Sequence, residues 1–396
     1  MRLSSKSRFY LFIFIILGLL TTYAGCGGRD LMGDTKSFFQ RLFGPATPRT
    51  AYRKAALKEG NVGEQDMALW DGTYDVAKTT PLSVGLPHRE LVHLDNQLIL
   101  SAQALRFRLP AGRLLRIRAL NDSDHLFGEL FRLKSGAATK RPADWFTAEG
   151  REITYETPWL HGEELLLVIQ TAPWQFTRYE IQITTEPILQ FPVAGKDDKA
   201  IQSFWGAPRD GGARKHEGND IFAPKGTKLV ALTDGEITRL TNTGIGGKTV
   251  WLYDRERDLR YYYAHLDEQL VRKGQRVRRG DVVGTVGNTG NARTTPPHLH
   301  FGIYDNNALD PFPFLQNPDV LPPASPISLT EPAKRSSVPG RGSHYLRLQP
   351  QSGGSVIRQL QNGEIITVLG VSGRFRRIKT ERGEIGYANF DRWIVG

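Results

Sequence analysis

The sequence predicts a mainly β protein built from successive domains, and three observations carry that prediction. From about residue 81 apolar and polar residues alternate with period two, as in half-buried strands. Gly-rich turns recur between these short runs, most densely from residue 190 onward. At 396 residues the chain is also longer than one ordinary core accommodates. Hydrophobic residues make up 39% and charged residues 23%, the balance of a globular chain and not of a disordered or multi-pass one. The formal net charge of +11 favours anionic partners. No run of basic residues interleaved with aromatics and no zinc-finger or helix-turn-helix pattern occurs, so nucleic acid is not expected among those partners.

The first 26 residues carry a basic start (Arg2, Lys6, Arg8), an apolar stretch from Phe9 to Leu20, and small residues before Cys26. This is the pattern of an export signal. It also allows a retained anchor, since about 17 apolar residues approach the lower limit for crossing a bilayer. Ala24-Gly25-Cys26 resembles a bacterial lipobox, with Tyr23 where such boxes usually carry Leu. That resemblance implies a lipid anchor to a membrane through Cys26. Gly27 after the cysteine resembles outer-membrane sorting in two-membrane bacteria, so the expected location is periplasmic, at the outer membrane. Cys26 is the sole cysteine, which leaves no disulfide to form.

Residues 27–80 read as a tether followed by short helices, with Thr47 as N-cap, Pro48 at the first helical position and Gly60 as terminator. Residues 81–187 read as a β-sandwich. Leu105, Phe107 and Leu109 alternate with Arg106 and Arg108, Leu115 and Ile117 with Arg116 and Arg118, and Tyr179, Ile181 and Ile183 with Glu180 and Gln182. The arginines would form a solvated basic stripe, and Trp145, Trp159 and Trp174 are expected in the core, the alternative being a platform for glycans. Residues 317–342, rich in Pro and Ser, read as an extended linker. Residues 343–396 have short strands separated by Asn362-Gly363, Ser372-Gly373 and Arg382-Gly383, the pattern of a small β-barrel. They resemble bacterial SH3-like domains, which implies wall binding. Arg374, Arg376, Arg377 and Lys379 would be either a contact strip for an acidic peptide or an ordinary exposed strand face.

The chemistry concentrates in residues 190–316. "HLHFGIY" places His298 and His300 on one face of an extended strand and Leu299 and Phe301 on the other. "RKHEGNDIFAP" sets His216 four residues before Asp220, and Gly218 argues for a loop-to-strand segment that keeps both on one side. His216, Asp220 and one histidine of the pair would supply the three ligands of a catalytic Zn²⁺ site with one position open to water. The second histidine would then be free for acid–base or oxyanion work, and His265 in "RYYYAHLDEQL", sharing its parity with Tyr261 and Tyr263, is a third candidate. Arg209 and Asp210 would border the groove or sit in a solvated loop. "GTVGNTG" lacks the Gly-Lys-Ser/Thr of a phosphate cradle and the lysine of a lipoyl-type carrier turn, so it reads as turn chemistry shaping a wall.

"HEGND", "GKTVWLYD", "YYYAHLD" and "GDVVGTVGNTGNARTTPPHLHFGIY" together resemble the lysostaphin and LytM type of zinc endopeptidase. The resemblance implies an antiparallel β-sheet groove with His216, Asp220 and His300 as zinc ligands on its floor, and His265 and His298 as the catalytic pair. All five positions match. It implies hydrolysis of peptidoglycan peptides or cross-links. The rival expectation is a regulator that recruits a partner amidase, as relatives lacking these residues do. Whether the upstream sandwich covers the groove is left open by the sequence.

Overall fold

The computed structural model describes residues 46–94, 102–120, 126–146, 151–157, 161–175, 177–325 and 335–390. Residues 1–45, which carry the expected export signal and Cys26, and Trp159 lie outside the described residues. The chain divides at Ala51 into two units, and every described strand belongs to the second. Among the described residues no helix is long and apolar enough to cross a membrane. Two helices, Pro48–Glu59 and Glu64–Thr79, precede the strands. Thr47 Oγ1 accepts from Thr50 N at 3.3 Å, and Gly60 takes φ 71° just past the first helix, a conformation that favours glycine.

Two sheets face each other over residues 82–187. One runs in the order Leu82–Ser83, Ala102–Leu109, Glu163–Thr171, Leu126–Lys134, Ala137–Ala138. The other contains His88–Leu94, Thr177–Pro187, Arg113–Leu120 and Glu152–Glu156, all antiparallel. Leu105, Phe107, Leu109, Leu115, Ile117, Tyr179, Ile181 and Ile183 form the core between them, on the faces the alternation assigns. The outward arginines do not make a basic stripe. Arg106 lies on one sheet and Arg116 and Arg118 on the other, and Arg106 pairs with Glu164, Arg116 with Glu152 and Glu186, and Arg118 with Glu152, so cross-strand acids offset these charges. Trp174 also departs from expectation, being 61% exposed in a turn at φ 61°.

The C-terminal strands continue this second sheet. Ile365–Ser372 pairs with His88–Leu94 (Leu91 with Val371, Val92 with Gly370), and the order then runs through Phe375–Thr380, Ile385–Ala388, His344–Arg347 and Val356–Leu360. A Cβ on Gly370 would lie 2.8 Å from Leu91 O, so only glycine permits this approach. Among the described residues these strands form no closed ring, which corrects the expected barrel to an open, shared sheet. The cause is that the Ile365–Ser372 strand pairs outward with His88–Leu94. Glu90 is fully buried at the junction, with Arg377 Nη1 at 3.4 Å, Tyr387 OH at 2.9 Å and His88 Nε2 at 3.1 Å. Burial pushes the Glu90 carboxyl up, but Arg377 and the hydrogen bonds from His88 and Tyr387 hold it below its ordinary value. Arg376 and Arg377 are therefore buried structural groups and not a contact strip for a peptide. Residues 317–325 are docked along the protein. Arg113 donates to Gln316 O and Asn317 O, Asp319 accepts from Thr185 N and Oγ1, and Ser325 donates to Gly373 O.

The remaining sheet positions the chemistry. Its order is Ile201–Ser203, Asn219–Phe222, His298–Tyr304, Leu259–Leu266, Lys248–Asp254, Gly235–Thr241, Arg276–Val277, antiparallel throughout. Ile221, Leu299, Phe301, Ile303, Tyr261, Tyr263, Val250 and Leu252 point to one side and form its core. The opposite face carries the polar side chains of the groove together with Phe222, Trp251 and Ala264.

Candidate metal centre

Strand pairing lines up the floor of a groove. Ser203, Asp220, His300 and Ala264 are successive register partners across four strands. Ala264 contributes only a methyl there, which leaves space beside the His300 ring. His216 enters from the preceding hairpin (Pro208–Arg209 with Arg214–Lys215), where Gly206 N donates to His216 O and His216 N to Ala207 O, both at 2.8 Å. Gly218 then lets the chain turn against the His300 strand, because a Cβ there would lie 2.5 Å from Phe301 O.

The structure brings His216, Asp220 and His300 together as the alternation expects. His216 Nε2 lies 3.0 Å from Asp220 Oδ1 and 2.9 Å from His300 Nδ1, and His300 Nδ1 lies 3.1 Å from Asp220 Oδ1. These three atoms form a triangle with edges close to the about 3.3 Å edge of a tetrahedron with zinc–ligand bonds of about 2.0–2.1 Å. The three side chains are 3–16% exposed, so a cation there would meet protein on one side and the groove on the other. Imidazole and carboxylate are also the donor chemistry that Zn²⁺ takes. The residues present fit the ion. Burial pushes the Asp220 carboxyl up, and hydrogen bonds from His216 and His300 outweigh it and hold the group well below its usual range. Burial lowers His300, against the pull of Asp220.

His298 and His265 complete the cluster. His298 Nε2 is 4.0 Å from Asp220 Oδ1, and its ring stacks on Phe222 at 5.1 Å. The His265 ring is 5.1 Å from that of His298 and 5.9 Å from that of His300. Parity alone would send His265 the wrong way, into the core with Tyr261 and Tyr263, whose hydroxyls bond Asp254 and Val230 O. A bulge intervenes: Val250 pairs with Tyr263 but Lys248 with Leu266, and His265 takes φ 63°. The extra residue re-aims the imidazole into the groove.

Three backbone carbonyls set the tautomers. His216 Nδ1 lies 2.9 Å from Phe204 O, His265 Nδ1 2.9 Å from Thr289 O, and His298 Nδ1 2.8 Å from Pro296 O. A ring nitrogen facing a carbonyl carries the proton, so Nε2 of each neutral ring presents its lone pair. Burial, reinforced by repulsion from His300 and His298, lowers His265 to about 4, which keeps it neutral at physiological pH. The "GNTG" wall holds this arrangement, since Thr289 Oγ1 accepts from Lys248 N and donates to Leu266 O, each at 2.9 Å.

The groove has a volume of about 610 Å³, and all of its lining residues fall between Ser203 and Tyr304. No described sandwich residue covers it. Sequence reasoning missed Ser203, Tyr262, Tyr304, Ile245, Asn291 and Thr295, which line it. Two of these were within reach, because Tyr304 shares parity with His300 and Tyr262 lies opposite in parity to its core-facing neighbours. Arg209 borders the site directly, 2.7 Å from Asp220 Oδ2; the Asp210 side chain is not among the described ones.

The model of the family described as Peptidase family M23 matches residues 214–311, and that of the Bacterial SH3 domain matches residues 342–393. Over 139 residues the chain is 34% identical to the L-Ala--D-Glu endopeptidase of Bacillus subtilis (strain 168), covering 32% of this chain and 42% of that one. It is 38% identical over 109 residues to the glycyl-glycine endopeptidase ALE-1 of Staphylococcus capitis, covering 26% and 29%. It is also 34% identical over 120 residues to the murein hydrolase activator NlpD of Salmonella dublin, covering 30% of each chain. The match therefore spans less than half the length of each of these relatives.

Proposed function

We propose, from a chain that carries a family M23 peptidase domain and a bacterial SH3 domain, that it is a zinc endopeptidase hydrolysing amide bonds of peptidoglycan stem peptides or cross-links. One observation supports this most: three donors clustered in the open groove, faced by two imidazoles with outward lone pairs. In this reading His216, Asp220 and His300 hold the ion. When bound, zinc supplies Lewis acidity, polarising a carbonyl and bringing the acidity of a water near neutrality.

The chain's own groups do the rest. His298 or His265, whose Nε2 faces the groove, accepts the proton of the attacking water and returns it to the departing amine. The other histidine, taking up a proton from solvent on Nε2, donates it in a hydrogen bond to the carbonyl oxygen and stabilises the charge there. Their Nδ1–H bonds to Pro296 O and Thr289 O hold the rings still during both transfers. Tyr262 and Tyr304 line the floor beside His300, where an extended peptide would lie.

The likeness to a murein hydrolase activator supports a second reading, a wall-binding regulator that stimulates a partner amidase. Incubation of purified sacculi with the zinc-loaded chain, followed by mass spectrometry of released fragments, separates the two. New peptide termini, lost on chelation, support the enzyme; no release on its own but stimulation of an added amidase supports the regulator. Wall binding by the SH3 unit and the division at 81–187, 190–316, 317–342 and 343–396 are part of the same proposal. So are export, acylation of Cys26 and an outer-membrane location, which the intact mass of the mature protein tests.

A further inference from the structure

The Asp220 carboxylate is divided between two environments. Oδ1 faces His216 Nε2 and His300 Nδ1, whereas Oδ2 receives Arg209 Nη2 at 2.7 Å. The same Nη2 lies 2.7 Å from Ser203 Oγ, and Ser203 is the register partner of Asp220. Arg209 is fixed by the hairpin that delivers His216, where it pairs with Arg214. One short turn thus supplies both a nitrogen donor and the cation that holds the neighbouring acid.

We propose, resting on the zinc reading above, that Arg209 is a positioning residue that occupies Oδ2 and restricts Asp220 to one donor oxygen toward a divalent cation. A carboxylate free at both oxygens binds cations through one or two of them. A second oxygen would consume the coordination position that a hydrolytic site keeps open. A charge-assisted hydrogen bond of 2.7 Å is of the strong kind and competes for that oxygen. Ser203 takes part of the same guanidinium nitrogen, which keeps Arg209 over the acid and away from the groove.

The test uses the full chain loaded with Co²⁺ in place of zinc, because cobalt absorbs visible light several-fold more strongly in four-coordinate than in five-coordinate sites. The wild type should give the four-coordinate spectrum. Arg209→Leu should give the weaker five-coordinate spectrum as Asp220 contributes both oxygens, and Arg209→Lys, which retains a donor and a charge, should restore much of the intensity. Ser203→Ala, less disruptive to the fold, should give a partial loss in the same direction. An Arg209→Leu spectrum superimposable on the wild type, or an unchanged Ser203→Ala spectrum should Arg209→Leu not fold, overturns the inference and leaves the zinc reading intact. A wild-type chain that binds neither cobalt nor zinc overturns both.

Discussion

Gly218→Ala is a sharp test of how the site is assembled. Gly218 lies between the two donors of the His216-to-Asp220 turn, and its backbone is compatible with any residue, so only space is at issue. An added Cβ would stand 2.5 Å from Phe301 O and 2.8 Å from both Cε1 and Nε2 of His300. Relief to ordinary contact needs a separation of about 0.9 Å between the turn and the His300 strand, at an overpacking cost of about 1–3 kcal/mol. The same shift pulls Asp220 from His300, its register partner, in a triangle whose edges are 2.9–3.1 Å. Disturbances that misplace ligands typically cost about 10–100-fold in metal affinity. The assay is zinc binding by chelator competition, with thermal melting of the metal-free chain alongside it. The melting temperature should fall by roughly 2–10 °C. Gly72→Ala is the control: it lies in the Glu64–Thr79 helix with nothing within 4 Å of its added Cβ, and it should be neutral or stabilising. Zinc affinity within twofold of wild type and an unchanged melting temperature in Gly218→Ala would refute the close approach.

Other outcomes follow from the same geometry. His216→Ala should abolish stoichiometric zinc, read by metal analysis, together with hydrolysis. His265→Ala should keep zinc and lose about 10²–10⁴-fold in turnover; an equal loss of metal would remove it from the acid–base pair. Glu90→Leu leaves the Arg377 guanidinium buried without its carboxylate, which should cost about 3–5 kcal/mol, seen as a shifted denaturation midpoint. Burial, with Arg178 nearby, lowers His93 to about 4, and burial with the neighbouring imidazoles does the same to His265. Both folded values lie below the ordinary 6.5, so the unfolded chain takes up protons first as the pH falls. The metal-free protein should therefore keep its full stability above about pH 6.5 and lose it progressively toward pH 4; a melting temperature that rises on acidification would contradict this.

Much of the site was legible because it obeys local rules. Alternation placed His298 and His300 on one face, and the Gly218 turn kept His216 and Asp220 together, without knowledge of the partner strands. His265 shows where parity stops working: a bulge reverses its direction, and nothing in the surrounding sequence announces that the strand is irregular. Arg209 was ambiguous because its partner is eleven residues away and its orientation depends on a hairpin with no distinctive spacing. The sandwich core read correctly, since Leu105, Phe107 and Leu109 sit on strands with one dominant buried face. The arginines opposite were misjudged as a stripe because the acids that neutralise them come from other strands. Arg376 and Arg377 failed for a related reason. Their burial results from pairing between strands nearly 280 residues apart, Leu91 with Val371, and nothing in either segment announces the other.

That long-range pairing changes what the C-terminal unit can do mechanically. A unit hung on a slack leash would swing, and a pull on it would be taken up by the leash before anything else moved. Here a tug is passed straight through backbone hydrogen bonds and the Glu90–Arg377 contact into the sheet upstream of the candidate metal centre. A chain cut after residue 325 would stay clasped through these contacts, so the C-terminal strands and the sheet they extend would still move as one piece.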